Sequence, residues 1–238
     1  MWQGISLSVE DAFMIKGIFS YDILGNTVWI TTTHVSLLII VLILVAFAIA
    51  GNRVIKHNTE VPGNFQNVIE LVIEKLDGMV YGTMGAKAKY FTNYISTIFL
   101  FILLSNISGL VGLRPPTADY GVTFPLGIIT FVIINVCKFK YKKVKGVIKE
   151  LAEPWVIWIP INLISEIAIP ISLSLRLFAN VLSGTIIMAL VYGLLNVFAL
   201  AWPGALHLYF DLFSGAIQTY VFCMLTMTYV SSAMDPTE

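Results

Sequence analysis

Residues 154–197 read PWVIWIPINLISEIAIPISLSLRLFANVLSGTIIMALVYGLLNV, a run in which only Glu166 and Arg176 carry formal charge. Roughly 20 apolar residues in helical form cross a bilayer core. In hydrocarbon every backbone N–H and C=O needs an internal partner, so a run of this kind reads as helix. Its length suits two spans joined by an uncharged hairpin. It equally suits one long helix, which would have to tilt strongly or break near Pro160 or Pro170. The residues by themselves leave both open.

The same reading extends outward. Val28 to Ala50, Phe91 to Val111 and Tyr120 to Cys137 are further runs without Asp, Glu, Lys or Arg, and the stretch after Trp202-Pro203-Gly204 is apolar to Ala233. Hydrophobic residues make up 58% of the 238 and charged residues 12%, about half the charged share of an ordinary soluble chain. The alternation of a membrane β-barrel is absent. The chain is therefore expected to be an all-α polytopic protein, one membrane domain over residues 1–238, in contact with lipid. Met1 to Asn26 shows no clear period. It lacks a basic segment followed at once by an apolar core, so the first span is expected to insert directly. Pro62 to Val80 is amphipathic, with Phe65, Val68, Ile69, Val72, Leu76, Met79 and Val80 on one stripe. It reads as a helix lying along the membrane surface or against a partner.

Charge placement sets the orientation. Lys138, Lys140, Lys142, Lys143, Lys145 and Lys149 form a basic cluster. Threading the spans with that cluster in the cytoplasm puts Arg53, Lys56, Lys75, Lys87 and Lys89 on the same side, and leaves Lys16 and Arg114 outside. Eleven basic residues against two is a strong positive-inside bias, with the N-terminus expected outside. Net charge is zero, so no global field favours nucleic acid. Cys137 and Cys223 sit far apart in apolar runs and give no disulfide or metal-ligand spacing. His34, His57 and His207 are scattered, which argues against an intramembrane enzyme, and nothing in the pattern calls for a cofactor or a metal. An unrelated transporter would also bury charges, but internal repeats of the kind common there are not found.

Between Pro154 and Ala233 the only charged residues are Glu166, Arg176 and Asp211. An ionisable group at membrane depth costs at least about 2.5–3.5 kcal/mol, so it pairs, meets water or does chemistry. Arg176 has apolar neighbours on both flanks, and arginine alone keeps its proton under burial. Ser172, Arg176, Asn180 and Ser183 recur at helical spacing and share a face. His207, Asp211, Ser214 and Gln218 form a second stripe. Two polar stripes that each contain an ionisable residue read as the lining of an aqueous path rather than as ordinary small-residue helix packing. Glu166, with Asn162 one turn earlier, is either a channel group or a membrane-edge carboxylate.

Several stretches are similar to one family. Pro170-Ile-Ser-Leu-Ser-Leu-Arg176-Leu-Phe-Ala-Asn180, Pro116-Thr-Ala-Asp119 followed by Val122-Thr123, Val61-Pro62-Gly63 leading to Gln66-Asn67, and Gln218 resemble subunit a of F-type ATP synthases. The likeness runs from about Val28 onward, and the form of the motifs favours a bacterial member. It implies one transmembrane helix, a surface amphipathic helix, a transmembrane hairpin and two long tilted helices, Pro160 to Val197 and Gly204 to Ser232, facing a ring of c subunits. It implies the ion-conducting stator of a rotary ATP synthase, with no catalytic site of its own, in a bacterial plasma membrane with the C-terminus cytoplasmic. Partners would be the c ring, the peripheral-stalk b subunits and the rest of the complex. Arg176 would be the electrostatic gate, assisted by Asn180 and Gln218, with Ser183 on the same face. The sequence departs from the family at Thr185, where many members carry a Glu or His, at Asp211, where many carry a His or Glu, and at Ile169, often basic. Asp211, with His207, is therefore assigned the inlet carboxylate role, and Glu166 is kept among the candidate path residues.

Overall fold

The computed structural model describes residues 17–23, 26–56, 63–152, 155–195 and 202–235. Within these, the chain is helical apart from one small ribbon. A β-hairpin pairs β1 (Gly17–Ile23) antiparallel with β2 (Asn26–Thr31). Its residues include Phe19, Tyr21, Val28, Trp29, Ile30 and Thr31, the aromatic and β-branched types that favour pleated backbone. This ribbon was not expected from the irregular N-terminal sequence. It also moves the start of the first span, expected at Val28, to Thr32. Helix α1 runs Thr32–Lys56, and His34 Nδ1 lies 2.7 Å from Thr31 Oγ1 where strand gives way to helix.

Helix α2 (Asn64–Met84) follows Gly63, whose carbonyl accepts from Asn67 N at 3.0 Å. It buries Ile69, Leu76 and Val80 from the expected apolar stripe, together with Gln66 and Met84. Phe65 and Val68, assigned to that stripe, are instead exposed at 56% and 57%. A short 3₁₀ turn, Gly85–Tyr90, leads into α3 (Thr92–Ile107), which tightens into a second 3₁₀ turn at Ser108–Val111. A third turn, Pro116–Ala118, precedes α4 (Tyr120–Ala152). The basic cluster straddles a break in α4, which is two helical pieces joined at Lys143. At Lys143 the backbone turns left-handed (φ 57°), so the last residues of α4 leave its axis.

After a turn at Val156–Trp158 comes α5 (Ile159–Leu195), a single helix of 37 residues that contains Pro170. The two alternatives left by the sequence are thus settled as one helix, about 55 Å long at a rise of about 1.5 Å per residue. The last run is α6 (Trp202–His207), a π-helical segment at Leu208–Ser214, and α7 (Gly215–Ala233). Among the described residues five helical stretches, Thr32–Arg53, Thr92–Val111, Tyr120–Val144, Val156–Val191 and Gly204–Ala233, are long and apolar enough to cross a membrane.

The chain forms two compact units. The first comprises residues 1–59, 100–119 and 178–219; its core includes Ile40, Thr117, Ala118 and Met188. The second comprises residues 60–99, 120–177 and 220–238, with Ile69, Val80, Ile95, Leu177, Phe222 and Met227 at its centre. In the second unit Lys87 is ion-paired with Asp235 and donates to Ser231 O at 3.0 Å, which ties the turn before α3 to the end of α7.

Candidate functional site

Helix α5 carries one exposed face. Ser172, Leu175, Arg176, Ala179, Ser183 and Ile187 are exposed, whereas Leu173, Ser174, Leu177, Gly184 and Met188 are buried. Three- and four-residue spacing in an uninterrupted α-helix places the first set on one side and the second on the other. Ser172, Arg176 and Ser183 therefore share a face of α5, as expected, and all three are exposed. Ser183 Oγ donates to Ala179 O at 2.7 Å, which folds the hydroxyl against its own helix. Arg176 has no hydrogen-bond or ion-pair partner among the described residues. Asn180 lies half-buried at the edge of this face, in the first unit.

The second stripe is organised differently. His207 Nδ1 is 2.9 Å from Asp211 Oδ2 across one helical turn. Asp211 is largely enclosed, its side chain 16% exposed. Its carboxylate occupies the space beside Gly109, where an added Cβ would meet Oδ2 at 2.9 Å and Cγ at 3.0 Å. Gly109 belongs to the 3₁₀ turn after α3, and the lack of a side chain there makes room for the carboxylate. Ser214 Oγ donates to Asn180 Oδ1 at 3.0 Å. Gln218 is buried, and its Nε2 has no hydrogen-bond partner among the described residues. A buried donor left in this state costs on the order of 1–3 kcal/mol, and such groups gather where function requires them.

Helical spacing alone anticipated these four side chains but not the backbone beneath them. The segment Leu208–Ser214 is π-helical, so the stripe crosses a change in helical phase. Single π turns inside α-helices mark functional sites frequently. Sequence reading also missed Asn106. Buried to 2% exposure, it accepts from Thr117 Oγ1 at 2.7 Å and donates to Gly215 O at 3.0 Å and to Thr219 Oγ1 at 3.2 Å. Its place among apolar residues of a spanning helix was the available signal. Thr117 belongs to the Pro116-Thr-Ala-Asp119 motif, so the motif acts here through a buried hydroxyl.

Glu166 is held elsewhere, in the second unit. It is ion-paired with Lys138, which also lies 3.6 Å from Glu150, and Glu150 is 3.1 Å from Lys142. The kink at Lys143 turns the chain back so that Glu150 reaches lysines earlier on the same helix. Asn162 Nδ2 donates to Leu151 O at 2.9 Å beside this network. Glu166 is thus a paired carboxylate at the lysine-cluster end of α5, about 15 Å along the helix from Arg176. Thr185, the position of a family departure, donates its hydroxyl to Leu182 O at 2.8 Å. Val61, Pro62 and His57 lie outside the described residues. Cys137 and Cys223 are buried free thiols. Among the described residues no group of three or more His, Cys, Asp or Glu converges to hold a metal.

A profile of the family described as ATP synthase A chain matches residues 34–231. The chain belongs to that family. It is 38% identical over 200 residues to the sodium-ion-specific ATP synthase subunit a of Propionigenium modestum, with 77% of this chain and 68% of that protein covered. Against ATP synthase subunit a of Desulforamulus reducens it is 33% identical over 236 residues, covering 97% of this chain and 82% of the relative. Against the subunit a of Mycobacterium ulcerans it is 35% identical over 220 residues, covering 86% and 87%. The matched span takes in both polar stripes and all five membrane-length helices except the first two residues of α1 and the last two of α7. Membership makes the chain a membrane subunit of an ATP synthase, outside the sector where ATP is made, and a helical membrane protein.

Proposed function

We propose that the chain, acting as one membrane domain over residues 1–238, carries H⁺ or Na⁺ between two aqueous half-channels and couples that flow to rotation of a c ring. The exposed guanidinium of Arg176, without a partner among the described residues, carries this reading. A permanent charge on an apolar helix face is expensive in lipid. A passing carboxylate supplied by another chain would meet it. Arg176 stabilises the ionised form of that carboxylate and so favours release of its ion. It keeps its own charge throughout, since burial does not deprotonate arginine. Because the charge is fixed, it also blocks ions from passing directly between the half-channels. Asn180 and Gln218 supply hydrogen bonds near the gate, and Ser183 keeps the face small.

Asp211, with His207, lines the inlet path. Support comes from its enclosure beside Gly109 and from the polar stripe of Ser214 and Gln218. Glu166 stands at the other end of α5, beside the basic cluster. In this reading that cluster is cytoplasmic, the N-terminus lies outside and the C-terminus lies in the cytoplasm of a bacterial plasma membrane. The b subunits and the rest of the complex hold the chain still while the ring turns. The choice between H⁺ and Na⁺ rests chiefly with the ring's own carboxylate site.

The test is Arg176→Ala in the assembled complex, reconstituted in vesicles. Ion-driven ATP synthesis is expected to vanish, while passive ion leak through the membrane sector persists or rises. Coupled synthesis near the wild-type rate would refute the gate.

A further inference from the structure

The backbone under the second stripe raises a physical question. A π-helical turn is less favourable than an α turn and appears as a short insert within α-helix. It amounts to one extra residue, which rotates everything on one side of it by about 100° relative to an unbroken α-helix. Something has to hold it, and the structure supplies a candidate at its C-terminal end, where Gly215 begins α7.

Asn106 meets that junction with every polar atom in use. Its Oδ1 accepts from Thr117 Oγ1 at 2.7 Å, which fixes the amide so that Nδ2 faces the helix. Nδ2 donates to Gly215 O at 3.0 Å and to Thr219 Oγ1 at 3.2 Å. Thr219 Oγ1 in turn donates to Gly215 O at 2.8 Å. Thr117 and Thr219 are fully buried. The approach is close enough that a Cβ on Gly215 would meet Asn106 Cβ at 2.8 Å, so only glycine fits there. Three residues past Asn106, Gly109 receives the Asp211 carboxylate. One short stretch of chain therefore meets the helix within the π segment, at Asp211, and at its C-terminal end, at Gly215.

We propose that Asn106 is a positioning residue. Locked by Thr117, it holds the π-to-α junction at Gly215 and so sets the rotational phase at which His207 and Asp211 are presented relative to Gln218. The claim rests on the ion-path reading for its meaning, but the phase can be measured independently. Without the clamp the segment relaxes to α-helix and loses its extra residue of phase. Leu208 and Leu212 then take the directions held by His207 and Asp211, while Gln218 stays in place.

The experiment uses the whole complex in membrane vesicles, with Cys137 and Cys223 replaced by Ala and single cysteines introduced from 207 to 218. Labelling by a membrane-impermeant thiol reagent is read with Asn106 intact and with Asn106→Leu, which keeps the volume and removes all three hydrogen bonds. Reactivity is expected to move from positions 207 and 211 to 208 and 212, with 218 unchanged. Ion-driven synthesis in Asn106→Leu, without added cysteines, is expected to fall on the order of tenfold or more, as small misplacements of reacting groups do. Deleting Leu212 in the Asn106→Leu background is expected to restore both the phase and part of the synthesis, a rescue that simple loss of packing would not give. Should Asn106→Leu fail to assemble, Thr117→Val removes only the bond that locks the amide and is read in the same way. An unchanged labelling phase in an assembled variant overturns the proposal. Normal synthesis in Arg176→Ala would overturn the ion-path reading instead and leave the phase result standing.

Discussion

The two polar stripes of this protein handle charge in opposite ways. On α5, Arg176 and its serine neighbours face outward, and the chain offers the guanidinium no counter-charge among the described residues. On α6 and the π segment, Asp211 faces inward, joined to His207 and seated against Gly109. A carboxylate that the protein itself houses can serve as a fixed station along a path. A cation left facing outward from an apolar helix makes sense when its partner arrives from another molecule, because lipid alone would charge several kcal/mol for it. The contrast supports the proposal that the outward stripe is an interface and the inward stripe a lining. Glu166 follows the second pattern, satisfied within the chain by Lys138.

The largest effect that sharpens this contrast is expected at Arg176→Lys. Lysine keeps the charge in water but loses the planar fork and sheds its proton when desolvated. Ion-driven synthesis in reconstituted vesicles is expected to drop on the order of a hundredfold or more, as happens when a preorganised charge is removed from a low-dielectric site. Retention of more than half the wild-type rate would mean that any cation serves, and the outward stripe would lose its special character.

Next come changes to the lining. Gly109→Ala drives a methyl group to within 3 Å of the Asp211 carboxylate and is expected to slow synthesis about tenfold in a normally assembled complex. Asp211→Asn keeps the shape, removes the charge and is expected to slow translocation severalfold, also without loss of assembly. If Gly109→Ala were silent while Asp211→Asn was not, the carboxylate would not be working from the seat described here.

These expectations also show what the sequence could and could not disclose. Five apolar runs and the lone charges in them were legible because hydrocarbon tolerates little else, so fold class and both stripes followed from residue type and spacing. The N-terminal ribbon was not, since a short hairpin depends on pairing between two weak segments rather than on any period within one. Nor was the π segment: spacing arguments assume a constant turn, and the cause of the change, Asn106, lies more than a hundred residues away from Gly215. The exposure of Phe65 and Val68 escaped for a related reason. An amphipathic pattern names an apolar face but not which part of it the rest of the chain covers. Which way Glu166 would turn stayed open because its partner, Lys138, lies on another helix 28 residues earlier in the chain, and spacing along α5 does not report that pairing.

The smallest effect is expected in that network. Lys138→Ala strands Glu166 beside a partly enclosed neighbourhood and is expected to destabilise the purified complex by about 1–3 kcal/mol, less than the loss of one member of a fully buried pair. Lys138→Ala combined with Glu166→Ala is expected to recover most of that loss, read as the midpoint of thermal disassembly. Synthesis per assembled complex is expected to change less than in any variant above. A large loss of coupled synthesis without a change in stability would move Glu166 from the paired-charge class into the path.

The most direct test of the central claim asks which side of α5 meets the rotor. Ser172 is exposed on the Arg176 face and Ser174 is fully buried on the opposite one, so Ser172→Cys and Ser174→Cys compare two faces with the same mild substitution. Each is paired with a cysteine placed beside the ring carboxylate, and disulfide formation is followed in membranes under oxidation. The account predicts rapid crosslinking from position 172, with rotation blocked until the bond is reduced, and none from position 174. Crosslinking from 174 and not from 172 would contradict it, because the guanidinium of Arg176 would then face away from the ring it is held to gate.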